Sequence, residues 1–340
     1  MRFASMFFAC AILALLGLKA ADQPGTQVAT YANNFLQQLD EEQSKLVSMD
    51  YESEQRIDWH FIPKDKRKGL VLREMNQSQR VAALRTLRSA LSEVGYGKAS
   101  RIMLLEGILR ELEGDERRWE RDPQKYFVTI FGEPGDEGSW GLSFEGHHLS
   151  FNFSFEKGTL VDSTPQFFAA NPATVMDEVS GPLGKGTRVL RDEEQLAFDL
   201  INSLEKTQQE IAIIDQDAPA EIRFAGEPQP VVGDPEGINY ADLRDEKREL
   251  LKQLVYVYTD AVTEDVAENR RAMIEEDGWD GVHFAWAGAT KPGIGHYYRI
   301  RGKRFLIEFV NTQADAAGNP ANHIHCVWRD LTGDFNLEIE

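Results

Sequence analysis

An α+β fold, with helices packed on a mainly antiparallel sheet behind an N-terminal helical hairpin, follows from three observations. Apolar residues recur at helical intervals through the first third of the chain, as in Val81, Leu84, Leu87 and Leu91. At Tyr126 the period switches to alternation, and Leu149, Phe151, Phe153 and Phe155 then fall on one side of a strand. From Gly281 onward the chain reads as closely spaced strands joined by short turns.

Taken in order, Gln27 to Asp50 has helical spacing, with Phe35, Leu36, Leu39 and Leu46 on one stripe. The stretch IDWHFIPKDKRKGLVL is extended, because Pro63 forbids continued helix. Asn76 or Ser78 can cap the next helix, which Gly95 and Gly97 are expected to end. A second helix from about Lys98 to Arg117 completes the hairpin. YFVTIFGEP predicts a strand, PGDEGS a turn, and WGLSFEGHHLSFNFSF a strand or bent hairpin with a bulge at Gly146. Thr164 to Thr187 reads as a loop. Its GPLGKG segment lacks the spacing of a phosphate-binding loop. Helices are expected from Asp192 to about Gln209 and from about Tyr240 to Glu275, with a proline-containing strand or loop between them.

The terminal strands are VHFAWAG, HYYRIRG, KRFLIEFVN and NHIHCVWRD. A two-residue turn at Gly302 and Lys303 sets Tyr298 opposite Ile307 and Tyr297 opposite Glu308. His296, Tyr298, Ile300, Phe305, Ile307 and Phe309 then share an apolar face. Tyr297, Arg299, Arg301, Leu306, Glu308 and Val310 share a mixed one, where Arg299 and Glu308 can pair diagonally. No internal repeat or shift of composition divides residues 21–340, so a single α+β domain is expected.

The chain has 340 residues, 42% hydrophobic and 27% charged, with 37 Lys and Arg against 56 Asp and Glu. This acidic balance excludes a broad nucleic-acid footprint, which needs a basic face. Residues 1–20 have the layout of a secretory signal peptide: Arg2, an apolar run from Phe3 to Leu18, then small residues. Export to the periplasm or beyond is therefore expected, with no membrane association after cleavage. Cys326 is then the one remaining cysteine, so no internal disulfide is available.

Five of the seven histidines fall in two motifs, His147–His148 and His296 with His323 and His325. His323 and His325 are two apart and project to the same face of a strand, a common way to offer two neutral imidazoles to a metal. Further ligands would come from His147, His148, His296, Glu145 or Glu308. The sheet ends at His296 and His323 are expected to lie at one edge. On a straight strand His147 and His148 would point oppositely, so one of them at most would reach a given site.

Around these residues the sequence resembles the domain of unknown function 3500 family of exported bacterial proteins. The resemblance rests on WHFIP, EGHHLSFNF, ANPA, HYYRI, FLIEFVNTQ and ANHIHCVWRD, in that order, over about Thr30 to Phe335. It implies one exported domain with the terminal sheet as its signature, and supplies no reaction. Family members often continue past the pair equivalent to Asp334 and Phe335 into a longer tail; if that tail helps cover the site, a more open site or altered activity is expected in this chain.

The expected function is that of an exported metal-dependent enzyme, a hydrolase, acting on a small or polymeric substrate. A divalent zinc, copper or iron ion would be held by His323 and His325 with His147 or His148 and His296. Glu145 or Glu308 would be base or ligand, and Arg299 or Arg329 would stabilise negative charge. The alternatives are a redox copper or iron protein, a metal-free acid-base enzyme, and a ligand-binding protein with an aromatic surface formed by Trp140, Tyr297, Tyr298 and Trp328.

Overall fold

The computed structural model describes residues 24–116 and 118–339, so the expected signal segment lies outside the described residues. Where one helical stretch was expected over 27–50, two helices form, α1 (Pro24–Leu36) and α2 (Glu41–Val47). The break is chemical. Asp40 accepts the Gln43 N–H at 2.9 Å while the Gln43 side chain reaches back to the Asp40 N–H, a reciprocal cap that starts a new helix. Strands β1 (Ser48–Met49) and β2 (Leu70–Val71) flank the extended region around Pro63.

The helical hairpin is α3 (Gln77–Ala90) and α4 (Glu93–Glu113). Asn76 caps α3 as expected, but the break falls at Leu91 and Ser92, and Gly95 and Gly97 lie inside α4. Ser92 accepts the Gly95 N–H at 3.0 Å. Gly95 is required for close approach: a Cβ there would stand 1.9 Å from the Ala261 carbonyl oxygen.

Next come β3 (Tyr126–Gly132), β4 (Ser139–Gly146), β5 (Leu149–Glu156), β6 (Thr159–Asp162) and β7 (Gln166–Ala170). Gly146 forms no bulge. It pairs with Leu149 and lies under the Tyr126 ring, which a Cβ would approach to 2.3 Å. β7 corrects the expected loop over 164–187. QFFAA is buried on both faces and therefore shows no alternation in sequence.

Helices α5 (Arg191–Ser203) and α6 (Lys206–Ala212) replace the single helix expected over 192–209. After β8 (Ile213–Asp215), an irregular stretch leads to β9 (Ile238–Asn239). The long helix expected to Glu275 is two, α7 (Asp245–Thr259) and α8 (Glu264–Asp277), parted where residues 261 and 262 pack against the start of α4. Strands β10 (His283–Gly288), β11 (His296–Arg301), β12 (Phe305–Asn311) and β13 (Ile324–Asp330) are the last strands of the described chain. Among the described residues no helix is long and apolar enough to cross a membrane.

All strands join one mostly antiparallel sheet, whose main path runs β1-β3-β4-β5-β7-β13-β12-β11-β10-β8. β7 is the joint between the upstream hairpin and the terminal meander, pairing β5 on one side and β13 on the other. The β11–β12 register is displaced by two from expectation, with Tyr298 opposite Phe309 and Arg299 directly opposite Glu308. A slip of two leaves every side chain on its assigned face, because the pleat repeats every two residues.

The two faces are covered differently. On the first, Phe151, Phe168, Phe309, Tyr298 and Trp286 pack with the helices in one large core. On the second, Phe167, Ala169, Val327, Val310 and Tyr297 meet Trp59, Phe61, Ile222 and Phe335, all from irregular segments. Trp140, Tyr297, Tyr298 and Trp328 are each at most 2% exposed. They form no surface platform for a ligand, because the sheet is covered on both sides.

Candidate metal centre

The site is assembled where the β4–β5 hairpin meets the start of β13. His147 and His148 are the two turn residues between Gly146 and Leu149. His148 takes a positive φ of 68°, a conformation histidine tolerates better than most side chains. The turn abolishes the alternation of a straight strand. The two rings therefore stack at 3.5 Å rather than pointing apart. The His148 N–H donates to the Phe61 carbonyl at 3.0 Å, and its own carbonyl accepts the Ala169 N–H at 2.9 Å, which fixes the turn on β7.

His323 and His325 project together, as their spacing predicts. His323 Nε2 lies 2.9 Å from His148 Nε2 and 2.9 Å from His325 Nε2. The ligand atoms of His148, His323 and His325 all lie within 4.8 Å of one another, and so do those of Glu106, His147 and His148. The two groups share His148. Both can hold a metal ion.

Outer partners set the imidazole states. Both Glu221 oxygens approach His325 Nδ1, at 2.7 and 2.8 Å, and as a carboxylate can only accept, this nitrogen carries a proton and turns Nε2 toward the other rings. Phe61 and Phe167 wall the His325 ring at centroid distances of 4.9 and 5.7 Å. Glu106 Oε1 lies 2.5 Å from His147 Nδ1. Arg121 stands beside that ring, with Nη1 3.1 Å from Nδ1, and is anchored through Nε and Nη2 to Glu113 at 2.9 and 2.6 Å. Asn171 Nδ2 lies 3.4 Å from His323 Nδ1, and its buried Oδ1 has no hydrogen-bond partner.

Burial holds His148 and His323 well below the usual histidine pKa, and the other histidines push in the same direction. His147 is also lowered by burial, against the opposing pull of Glu106. His147, His148 and His323 are thus kept as neutral imidazoles, the form that ligates metal.

Of the expected ligands, four converge: His147, His148, His323 and His325. His296 does not. It pairs across the sheet with Asn311, one position out of step with the Val310–His325 pair, so it projects from the opposite face. There it stacks between Trp286 and Phe309 and stands 3.2 Å from Glu194. The sheet edge is shared as expected, but the pleat separates the side chains.

The four residues expected to do chemistry lie outside the histidine groups and are otherwise engaged. Glu145 is held by Lys68 at 3.0 Å and Arg67 at 3.5 Å. Glu308 accepts from the Tyr297 hydroxyl and from the Arg223 N–H. Arg299 pairs with Glu236, and Arg329 with Asp334 at 2.5 Å. Sequence reasoning missed Glu106, Arg121, Asn171 and Glu221. Only Glu106 had a legible signal: it shares the buried face of α4 with Ile102 and Leu109, an acid where an apolar residue is expected.

No curated protein and no solved structure matches the chain significantly. A family model described as protein of unknown function (DUF3500) matches residues 21–337, and on this match over nearly its whole length the chain belongs to that family.

Proposed function

We propose that this protein is an exported metal-dependent enzyme, a hydrolase, whose divalent ion sits between His148, His323 and His325. The observation that carries this reading is the pair of 2.9 Å contacts made by His323 Nε2. One N–H or one lone pair cannot point along its axis at two neighbours, whereas a cation between the rings satisfies all three nitrogens. At metal–nitrogen distances of ~2.0–2.1 Å, tetrahedral ligands stand ~3.3 Å apart, so small ring movements would admit zinc. The orphaned Asn171 Oδ1 supports the same reading. With its amide turned, this oxygen would accept the His323 Nδ1 proton and leave Nε2 bare.

A set of three histidine ligands leaves a coordination position open, where a bound ion lowers the pKa of water and polarises a substrate. Glu221 fixes the His325 tautomer from outside the ligand set. The Glu106–His147 pair is placed to take or return a proton, and Arg121 beside it to hold an anionic group of a small or polymeric substrate. Zinc, copper and iron all suit imidazole ligands, and an absorption or electron-resonance spectrum distinguishes them.

The test is metal analysis of the purified mature protein beside a panel of ester, phosphoester and glycoside substrates. Stoichiometric metal, lost in the His323→Ala/His325→Ala variant, and chelator-sensitive hydrolysis are expected. Absence of metal, or unchanged metal content in the variant, would sink the reading.

A further inference from the structure

β13 begins beside the histidines and ends at Asp330, about 20 Å away at ~3.3 Å per residue. At this far end a cavity of about 150 Å³ opens between α8 and the β6–β7 connection, lined in part by Asp162, Ser163, Asn269, Arg270, Trp328 and Asp330. Nothing in the metal centre uses it.

Its charges are arranged unusually. Arg270 is 8% exposed, yet among the described residues no carboxylate lies within 4.0 Å of its guanidinium. It is fixed instead by neutral groups: Nη1 donates to Gln166 Oε1 at 3.1 Å, and Nη2 to Ser163 Oγ at 2.7 Å and to the Ser163 carbonyl at 3.3 Å. The guanidinium lies 4.9 Å over the Trp328 ring, whose indole is itself stacked on Phe305. These contacts leave Nε–H and one Nη1–H without a hydrogen-bond partner among the described residues.

The acids are likewise held in place by local bonds. Asp162 accepts the Ser163 N–H and the Thr164 hydroxyl on Oδ1, and the Asn336 N–H on Oδ2. Asp330 accepts the Thr332 N–H and hydroxyl on Oδ1, and its Oδ2 has no hydrogen-bond donor among the described residues. Asp334 is neutralised by Arg329. Burial pulls Arg270 down to about 10 and, with help from Asp334 and Asp330, lifts Asp162 to about 7. Unlike charges that line one cavity normally pair, because desolvation of each is otherwise uncompensated. Here Arg270, Asp162 and Asp330 are each held by their own neutral partners, and none of these carboxylates comes within 4.0 Å of the Arg270 guanidinium.

We propose that this cavity binds a small zwitterion of the α-amino acid class, its carboxylate on Arg270 and its ammonium toward Asp330 and Asp162. A simple anion would leave the aspartates uncompensated, and a simple cation would face Arg270. A cavity of about 150 Å³ has room for a compact amino acid. The open rim at Asn269, an exposed residue, supplies entry.

The test uses the full mature protein and L-alanine, with acetate and ethylammonium as the two half-ligands, followed by ligand-observed magnetic resonance and calorimetry. Saturable L-alanine binding is expected, with each half-ligand at least ~10-fold weaker. Asp330→Asn should weaken it at least ~10-fold. Because that change also touches the Thr332 turn, Asn269→Trp provides a second variant that blocks the rim from an exposed position. It should abolish binding while leaving the thermal midpoint and the metal content at the histidines unchanged. Acetate or ethylammonium binding as well as L-alanine would overturn the proposal, as would no saturation by about 10 mM or undiminished binding in Asn269→Trp.

Discussion

The two faces of the sheet are both buried, but they are buried by different means. The first is covered by helices and contains a continuous aromatic and aliphatic core, including Phe309 stacked on Tyr298 at 4.9 Å. The second is covered by irregular chain, and the polar groups that line it, Glu145, His325, Arg299 and Glu308, each need a partner from that cover or its neighbours. Helices satisfy their own backbone and offer an apolar stripe, so a helix-covered face favours packing. Coil can bring carboxylates and carbonyls to specific positions, as with Glu221 on His325 and the Phe224 and Glu227 carbonyls on Arg329. The chemistry collects where coil meets sheet.

Substitutions on the two faces should therefore separate stability from metal binding. The largest effect is expected for His148→Asn, which keeps a side chain tolerant of positive φ but removes a proposed ligand. Metal affinity should fall by more than the ~10–100-fold that losing an outer partner costs, with little change in the unfolding midpoint of the metal-free protein. A competition titration with a chromophoric chelator measures it. Unchanged affinity would break the division.

On the helical face, Phe309→Ala should cost about 3–5 kcal/mol in denaturant unfolding, the loss typical of a buried phenylalanine, while metal stoichiometry is retained in the folded fraction. Loss of metal without loss of stability would reverse the assignment of the faces. Next in size, Glu221→Gln should weaken metal ~10-fold to 100-fold, because an amide orients the imidazole but no longer stabilises it by charge. Isothermal titration gives the value, and an undiminished affinity would remove the covering coil from the site.

The smallest effect concerns pH. His148 and His323 have folded pKa values below the unfolded 6.5, so their contribution is complete above about 6.5 and is lost as acid protonates the unfolded chain first. Asp162 acts oppositely. Its folded pKa of about 7 exceeds 3.8, so its contribution grows as pH falls from 7. Metal-free protein should lose stability from pH 7 to 5, and Asp162→Asn should lose it more steeply. Chemical denaturation across this range checks the order of the two curves, and a shallower slope in the variant would contradict it.

The sequence by itself determined the α+β class, the α3–α4 hairpin, both faces of β11 and β12, and the common projection of His323 and His325. These are local properties, set by periods of 3.6 and 2 that survive a register error of two residues. It also located the upstream histidine pair as the partner of the terminal sheet, although alternation wrongly predicted that the two rings would diverge. Tertiary structure alone decided that β7 joins the two halves, since a strand buried on both faces carries no alternation. It alone put His296 behind the sheet, because strand neighbours share an edge while the pleat gives them opposite sides. Glu221 came from coil with no periodicity to read, and Glu106 from a helix whose one misplaced charge acquired meaning only beside His147. A site made by long-range contact is written in the sequence residue by residue, but its geometry exists only after the chain has closed.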